Sequence, residues 1–567
     1  MTETLNDYDA VIGIDFGTTF SGYYVLDLNS EQNKNYYDSY FWRYKNMPST
    51  MLYKKESEKK FTYGRSAEHN FRKHPDSGYH ISKVKLWLDR TIKEGLPPLP
   101  PNMTPVKIIG DYLSRMHKDI SKIPKKYPKF RDPSRYRYCM TVPTMWSEES
   151  KNIMREAAIL AGIITKYDEP GKLLIIDEAV AAALYAEDQS PELNLTHGSL
   201  YMICDAGGGT VDLAVFEKDD SSGTSGLKEI TMGTGSSCGS TFLDARFEAL
   251  LREKVSKYPN YSEKDIQDAL WEFSLVIKET FVGDQEEKSY CIKKLKRMYI
   301  QGHPDISDDE TYSLDEIHKK VFDPVVDEVL GMIEKQFAQI GGRHLDVMFI
   351  TGGFGQSPYL QARINDTFGS RVKHFKVIKD GNMAVMRGAT LFGARPRAIT
   401  QRILRRAYGI KLCSSNDIPE KNAPSVKDKF HVYIHKGEPV SEDGWITKHI
   451  AWKKDILPIV SLYAYDGDEP VPEYPSSQSI DLVAIFNTQF PIDDRKGVKY
   501  DILAMKMRFG LDKIDIKVNI RGRDFEYVTV WDVTGEKTTQ YYSEPNPPPS
   551  VKVRKLWLMD AIVKYLP

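Results

Sequence analysis

Two segments of the chain combine aspartate, glycine and threonine in a pattern that could bind a polyphosphate. Residues 10–26 have the sequence AVIGIDFGTTFSGYYVL, and residues 201–216 have the sequence YMICDAGGGTVDLAVF. Glycine lets backbone N–H groups approach phosphate oxygens closely, and threonine adds a hydroxyl donor. The aspartate in each turn would repel phosphate unless a cation lay between them, so the combination predicts Mg²⁺ with its waters.

Each of these segments also predicts an apolar strand, a tight turn and a second strand. Asp-Gly and Gly-Gly turns are common in ordinary β-hairpins, so one such turn by itself is typical of a structural hairpin. Two turns in the same strand context, far apart in the chain, favour two related lobes over a short-period repeat. Turns on two lobes could grip the phosphates of one ligand from opposite sides.

The elements around these turns alternate between strands and helices. Residues 136–163 predict a strand that ends at Pro143 and then an amphipathic helix, and residues 172–186 predict a strand followed by an alanine-rich helix. Residues 346–364 predict a buried strand, a glycine turn and a helix, and residues 383–393 predict a closely packed helix. This alternation is typical of the α/β class.

The sequence pattern changes near residue 400. Residues 395–409 are basic, and they are followed by segments with alternating apolar and polar residues, among them SIDLVAIF, YDILAMKM, KIDIKVNI and FEYVTVWD. Such a pattern predicts β-strands, so we expect a β-rich C-terminal module over residues 401–567. We expect a turn or spacer at the proline-rich residues 545–550 and one short helix after it.

Composition limits the class of protein. The 567 residues are too many for one core and predict two to four domains. Lys and Arg total 78 against 79 Asp and Glu, so the chain has no overall basic field for nucleic acid. It has no run of roughly eighteen apolar residues that could span a bilayer, and its N-terminus lacks a signal-peptide pattern. Five cysteines without a paired spacing, Cys291 and Cys413 among them, favour reduced thiols and a cytoplasmic or nuclear protein.

Several motifs resemble those of a known superfamily. IGIDFGTTFSG, CDAGGGTVDLAVF and ITGGFGQSP resemble the phosphate-1, phosphate-2 and adenosine motifs shared by actin, sugar kinases and the 70-kDa heat-shock proteins. TVPTMWSEESKNIMREAAILAG and DEAVAAALYA resemble the connecting segments of the heat-shock family, and GATLFGARPRAITQRILRRAYGI is similar to its divergent twelfth-member branch. The resemblance covers residues 10 to about 410 and extends only loosely to the β-rich tail.

The resemblance implies a two-lobed actin-like ATPase with duplicated ribonuclease-H-like lobes. Lobe I would extend over about residues 8–190 and lobe II over about residues 198–400, ahead of the β-rich module. ATP or ADP with Mg²⁺ would bind between the lobes. The residues implied to hold the hydrated metal are Asp15, Asp205 and Glu178. Thr18, Thr19, Gly208 and Gly209 are implied to donate to the phosphates, and Gly17, Gly207 and Gly239 are implied to belong to the same nucleotide-binding site. Thr210 would lie at the γ-phosphate and Asp212 near the attacking water.

The family also uses a catalytic lysine in the first lobe. The segment ISKVKLWLD makes Lys85 the candidate by its spacing to Leu88, with Lys83 as the alternative. An ammonium group there would neutralise charge on the transferring phosphoryl group. A lone lysine in a charged segment is otherwise typical of a solvated side chain.

The base end of the nucleotide site departs from the family pattern. Gly352 and Gly353 keep a close approach to ribose and α-phosphate, and Lys278 matches a family lysine. Gln356 stands where the family has an arginine that stacks on adenine, and Asn382 stands where it has an aspartate. Loss of a guanidinium stack should weaken purine binding by roughly 1–2 kcal/mol.

Further departures concern the helix of Lys278 and the interdomain linker. Leu275 and Glu279 replace a glutamate and an arginine of that helix. The family's short acidic-leucine linker is absent, and the basic ITQRILRRAYG stands in its place, so coupling to a peptide-binding domain is an open question. Pro143 matches the family's proposed switch proline, and a plain strand terminator is an equal alternative.

Three functions are compatible with these residues. The first is a chaperone-like ATPase with protein clients or co-chaperones, and the second is a nucleotide-gated interaction scaffold with little or no hydrolysis. The third is a small-molecule kinase, for which no substrate signature is present. Residues 235–239 also match the G-x-S-x-G pattern of serine hydrolases, but His303, His318, His344 and His374 have no recognisable context for a catalytic triad.

Overall fold

The computed structural model describes most of the two predicted lobes and part of the C-terminal region. The described residues are 8–28, 43–55, 57–89, 92, 99–126, 132–146, 148–221, 226–255, 262–283, 316–412, 430–441, 444–453, 459–465, 467, 470–472, 480–487, 500–510, 514–520, 523–529 and 539–542. Cys291, Cys413, His303, the spacer at 545–550 and the predicted final helix lie outside these residues.

The described residues form α-helices and β-strands in the alternation predicted from the sequence. The strands are β1 (Ala10–Phe16), β2 (Phe20–Asp27), β3 (Arg43–Pro48), β4 (Met51–Lys54), β5 (Ser57–Tyr63), β6 (Gly78–Ile81), β7 (Tyr136–Val142), β8 (Leu173–Asp177), β9 (Leu200–Ala206), β10 (Val211–Asp219), β11 (Gly226–Glu229), β12 (Thr234–Ser236), β13 (Leu345–Thr351), β14 (Val372–Val377), β15 (Ile399–Ile403), β16 (Ala407–Leu412), β17 (Phe430–Ile434), β18 (Pro439–Ser441), β19 (Ile446–Lys453), β20 (Ile459–Tyr465), β21 (Ile480–Asn487), β22 (Tyr500–Phe509), β23 (Ile514–Ile520), β24 (Arg523–Thr529) and β25 (Thr539–Tyr542). The helices are α1 (Gly64–Lys73), α2 (Pro105–Ile120), α3 (Ile123–Lys126), α4 (Glu148–Leu160), α5 (Glu178–Asp188), α6 (Thr241–Val255), α7 (Glu263–Glu272), α8 (Lys278–Thr280), α9 (Asp323–Gln339), α10 (Pro358–Phe368) and α11 (Ala384–Ala394).

The first lobe is built on a five-stranded sheet with the order β3-β2-β1-β7-β8. β1 pairs antiparallel with β2 and parallel with β7, which in turn pairs parallel with β8. Every residue of β7 and β8 is buried, as expected for parallel strands covered on both faces. A small second sheet with the order β5-β4-β6 lies beside it.

The second lobe repeats this arrangement. β9 pairs antiparallel with β10 and parallel with β13, which pairs parallel with β14. The turn after β1 and the turn after β9 therefore occupy equivalent corners of two sheets with the same topology. The predictions of an α/β class and of a two-lobed, duplicated fold are confirmed.

Two helices cross between the lobes. α5 follows β8 of the first lobe and contacts β9 and β10 of the second, whereas α11 follows β14 of the second lobe and contacts β1 and β7 of the first. A Cβ atom on Gly388 of α11 would come 1.7 Å from the carbonyl oxygen of Ala181 in α5. The alanine-rich composition of α5 and this glycine of α11 let the two helix backbones pack closely. A helix from each lobe therefore packs against the sheet of the other lobe.

The sheet of the second lobe continues beyond residue 400. β15 pairs parallel with β11 and antiparallel with β18, and two further sheets follow with the orders β17-β16-β20-β21 and β19-β22-β23-β24-β25. The predicted β-strands of the C-terminal region are present, and the domain boundary at residue 400 remains a prediction because β15 spans it. Within the described part of the chain, no helix is both long and apolar enough to cross a bilayer.

A pair of helical glycines tests the crossing of α5 and α11. Gly388→Ala should lower the free energy of unfolding by about 1–3 kcal/mol because its methyl group would collide with the α5 backbone. Gly331 lies in α9 with nothing within 4 Å of the place that an added methyl group would take, so Gly331→Ala should be neutral or raise stability by up to about 1 kcal/mol. Urea denaturation of both variants checks this, and an equal effect of the two substitutions would contradict the close crossing.

Candidate functional site

A cleft of about 760 Å³ brings the two glycine turns together. It is lined by residues from β1 and β9, by the turns that follow β1, β9 and β13, and by the helical segment that carries Lys278. The predicted site residues that line it are Asp15, Gly17, Thr18, Thr19, Lys85, Glu178, Asp205, Gly207, Gly208, Gly209, Thr210, Lys278, Gly352, Gly353, Gln356 and Asn382. The cleft wall includes neither Asp212 nor Gly239, which lie behind it.

The two turns face each other at contact distance. A Cβ atom on Gly208 would lie 2.3 Å from Oγ1 of Thr19, and one on Gly209 would lie 2.1 Å from Oγ1 of Thr18. Any side chain at either glycine would push the threonine hydroxyls away. Gly239 supports the second turn from behind, because its Cβ atom would meet the backbone carbon of Gly208 at 2.6 Å. The backbone N–H groups and hydroxyls of both turns can therefore act on the same ligand.

Acidic side chains meet at the base of the cleft. Loss of hydration raises the pKa of Asp15 to about 7, with the opposing charge of Lys85 and the like charge of Glu178 as smaller influences. Burial, followed by the negative charges of Glu178 and Asp212, raises the pKa of Asp205 well above its usual value. These carboxylates repel each other, so the site favours a cation.

The carboxylates of the cleft do not form a direct metal-binding group of three or more in the described residues. A magnesium ion that keeps most of its own waters is compatible with this arrangement, since Mg²⁺ dehydrates reluctantly. Asp15, Asp205 and Glu178 could hold such an ion through its waters.

Of the two candidates for the catalytic lysine, Lys85 is the one that lines the cleft. It lies in a short 3₁₀ helix, Val84–Leu88, with its side chain 3% exposed, and its ammonium group forms an ion pair with Glu178. Burial alone would lower the pKa of Lys85, but Glu178 and Asp15 outweigh it and hold the pKa above its usual value. Lys83 precedes this helix in a left-handed conformation with φ 56° and is not among the residues that line the cleft.

Asp212 lies directly behind Thr210. Its Oδ1 atom accepts a 2.6 Å hydrogen bond from the backbone N–H of Thr144, the residue after Pro143. Burial, and then the charge of Glu178, raises the pKa of Asp212 to about 7, although Thr144, Lys85 and the Thr210 hydroxyl act in the opposite direction. Its Oδ2 atom is buried without a hydrogen-bond partner in the described structure. Asp212 can therefore act on a ligand through Thr210 and Lys85.

The end of the cleft that the sequence predicts for the nucleotide base is held in place by hydrogen bonds between neighbouring residues. Lys278 Nζ donates to both carboxylate oxygens of Asp244 at 2.8 Å, so its charge is already paired. The Gln356 side-chain amide lies 3.4 Å from the carbonyl oxygen of Ile378, to which it donates. Asn382 and Leu275 also line this end. These positions come together as the sequence implies, but Lys278 is directed toward a carboxylate.

The turn at Asp380–Gly381 is a part of the site that sequence reasoning missed. Gly352 N–H donates to the carbonyl oxygen of Gly381 at 3.2 Å, and Asp380 has a left-handed φ of 55°. Gly352 itself has φ 82° and its Cβ atom would come 2.1 Å from the carbonyl oxygen of Ala206, which explains the glycine there. The Asp-Gly dipeptide after a strand is a turn signal that could have identified this element.

Among the residues that the structure describes, the serine-hydrolase motif is not assembled into a catalytic group. Ser237, its nucleophile position, donates a hydrogen bond to Asp89, and the Cys238 thiol packs on the sulfur of Met332 at 3.8 Å. His318 is paired with Asp323 at 3.3 Å instead. Ser237 and Asp89 belong to different lobes, so the motif contributes a contact between them.

Comparison with known proteins supports the resemblance drawn from the motifs. No protein-family model matches the chain. The chain is 22% identical over 515 residues to human "Heat shock 70 kDa protein 12B", an alignment that covers 74% of this chain and 73% of that protein. It is 24% identical over 355 residues to mouse "Heat shock 70 kDa protein 12A" and 23% identical to the human protein of that name, covering 48% of this chain and 51% of each relative. The predicted similarity to the twelfth-member branch of the 70-kDa heat-shock proteins is confirmed.

A pair of lysine substitutions tests the placement of the buried ammonium group. Lys85→Met removes the partner of a buried carboxylate and should lower the free energy of unfolding by about 3 kcal/mol. Lys83→Met should change it by less than about 0.5 kcal/mol. Chemical denaturation at neutral pH without nucleotide checks both variants, and a larger loss for Lys83→Met would contradict the assignment.

Proposed function

We propose that this relative of the twelfth-member heat-shock branch binds ATP or ADP with Mg²⁺ between its two lobes and hydrolyses ATP. One observation carries the proposal: the two duplicated turns meet in a single cleft that also contains Lys85 and Glu178. An ordinary pair of hairpins would have no reason to converge. The similarity to proteins named "Heat shock 70 kDa protein" supports a protein of the heat-shock type.

The metal would sit near the acidic base of the cleft. Asp15, Asp205 and Glu178 fit a hydrated Mg²⁺. Burial is the main cause of the raised pKa of the two aspartates and the like charge of Glu178 adds to it, so an added cation would favour their ionised forms. When bound, Mg²⁺ would neutralise part of the negative charge of the phosphates.

The chain's own groups would do the remaining work. The backbone N–H groups of both turns would hold the phosphates, and the Lys85 ammonium would face the charge that develops on the transferring phosphoryl group. Its ion pair with Glu178 keeps it charged and fixes its direction. Thr210 would contact the γ-phosphate, and Asp212 would orient Thr210 and the attacking water from behind.

Nucleotide state would change the angle between the lobes and act on the C-terminal β-strands. The crossing of α5 and α11 gives the lobes a common pivot, and β15 and β18 join the C-terminal region to the sheet of the second lobe. Protein clients or co-chaperones would bind to the β-rich module. The protein would be located in the cytoplasm or the nucleus.

A nucleotide-gated scaffold with little hydrolysis is the second candidate. The contact of Lys278 with Asp244 and the amide of Gln356 favour it, because neither group offers a guanidinium stack to a purine base. Weak base recognition would leave nucleotide binding dependent on the phosphates alone.

Single-turnover hydrolysis tests the proposed activity directly. We expect wild-type protein to bind ATP in the presence of Mg²⁺ and to convert it to ADP, and we expect Lys85→Ala to lower the rate by roughly 10²–10³-fold while binding is kept. Radiolabelled ATP in excess protein measures both steps. Lys83→Ala is the matched control and should hydrolyse ATP at the wild-type rate. Binding without turnover in all three proteins, the wild type included, would support the scaffold instead.

Release of nucleotide should depend on a contact between the lobes at Arg72. Its guanidinium in α1 lies 5.0 Å from the ring centre of Trp271 and 3.7 Å from Asp268, both in α7. Trp271 lies one helical turn before Leu275 of the cleft. Arg72→Ala should speed release of a fluorescent ADP analogue roughly threefold to tenfold, because both contacts oppose separation of the lobes. Lys73→Ala, on an exposed neighbour, is the control, and an equal release rate for both variants would contradict the contact's role.

A further inference from the structure

A partly buried ionic cluster, centred on Arg405, lies outside the cleft next to the residues that carry its carboxylates. The guanidinium of Arg405 reaches Asp177 of the first lobe at 3.0 Å and Glu229 of the second lobe at 2.7 Å. The two carboxylate side chains are only 7% and 2% exposed. A guanidinium suits this position because its planar fork can hold two carboxylates at once.

Asp177 connects the cluster to the cleft. It is the last residue of β8, and Glu178, the partner of Lys85, is the first residue of α5. Lys151 reaches the other carboxylate oxygen of Asp177 at 3.5 Å. The ion pairs of Asp177 with Arg405 and Lys151 therefore hold the backbone that places Glu178 at the cleft.

Arg405 also borders the element that holds Asp212. A Cβ atom on Gly233 would lie 3.0 Å from an Arg405 nitrogen and 2.7 Å from Cγ2 of Thr144, so these two residues pack around the same glycine. The N–H of Thr144 holds the Asp212 carboxylate. Arg405 thus stands behind Glu178 and Asp212, two of the acidic groups that the proposed hydrolysis uses.

The residues just before Arg405 also form hydrogen bonds, both to the second lobe and to the C-terminal sheets. Ile403 N–H donates to Glu229 at 2.9 Å, and the Arg402 guanidinium donates to the carbonyl oxygen of Gly510, between β22 and β23. A basic segment of β15 and its flank therefore contacts the proposed catalytic lobes and the C-terminal sheets.

We propose that Arg405 is a positioning residue that holds Asp177, and through it Glu178 and Lys85, in the geometry for hydrolysis. The inference rests on the proposed function, since it assigns a role to a residue outside the cleft. Displacement of the C-terminal sheets, to which Arg402 is tied, would loosen this support and slow the chemical step while the phosphate-binding turns remain intact.

Single-turnover hydrolysis and nucleotide affinity of the full chain test the inference. Arg405→Ala should lower the hydrolysis rate about tenfold with a change of less than about threefold in the dissociation constant for ATP, because the turns that hold the phosphates are untouched. Arg405→Lys should restore part of the rate. Arg397→Ala, an exposed arginine shortly before β15, is the control and should behave as wild type.

A double substitution separates this role from general destabilisation. If Arg405 acts through Asp177, then Arg405→Ala combined with Asp177→Asn should hydrolyse ATP no more slowly than the slower single variant. Additive losses, or a rate for Arg405→Ala equal to that of Arg397→Ala, would overturn the inference.

Failure of the proposed hydrolysis would leave a separate test. If wild-type protein shows no turnover, amide hydrogen exchange in the nucleotide-free protein measures directly whether Arg405 stabilises the start of α5. Arg405→Ala should speed exchange in the first turn of α5, at residues 178–181, relative to Arg397→Ala. Equal exchange in the two variants would refute the inference even though the activity had failed for another reason.

Discussion

The repulsion among acidic groups at the base of the cleft is the constraint on which the rest of the structure depends. Asp15, Asp205 and Asp212 all have raised pKa values, because burial removes water and Glu178 adds a like charge. Lys85 offsets part of this charge from within the site. A fold that keeps these groups together needs rigid elements behind them, and a cationic ligand would relieve the remaining repulsion.

The duplicated sheets supply that rigidity. Asp15 lies near the end of β1 and Asp205 near the end of β9, so each aspartate is held by a central strand of its own sheet. The crossing of α5 and α11 brings the two sheet edges to a fixed separation, at which Thr18 and Thr19 touch the glycines of the opposite turn. The same crossing places Glu178, at the start of α5, between the lobes.

The parts of the site that are formed by short, continuous sequence motifs could be predicted from the sequence. The pattern of apolar strand residues around aspartate, glycine and threonine is enough to predict each strand–turn–strand segment. The spacing within ISKVKLWLD likewise favours Lys85 over Lys83. The pairing of Lys278 with Asp244 could not be predicted, since nothing in either segment specifies the other. The ionic cluster of Arg405 joins residues that are distant in the chain, and β18 extends a sheet from beyond residue 400, so both depend on tertiary packing that the sequence pattern does not encode.

The most direct test of the central claim is whether both turns respond to one ligand. Amide hydrogen exchange of the full chain with Mg²⁺, with and without ATP, measures protection at residues 17–19 and 207–210 in the same experiment. The account predicts that ATP protects both turns at the same ligand concentration, because the phosphates lie between them. Protection of only one turn, or of neither at saturating ATP, would contradict a nucleotide held between the two lobes.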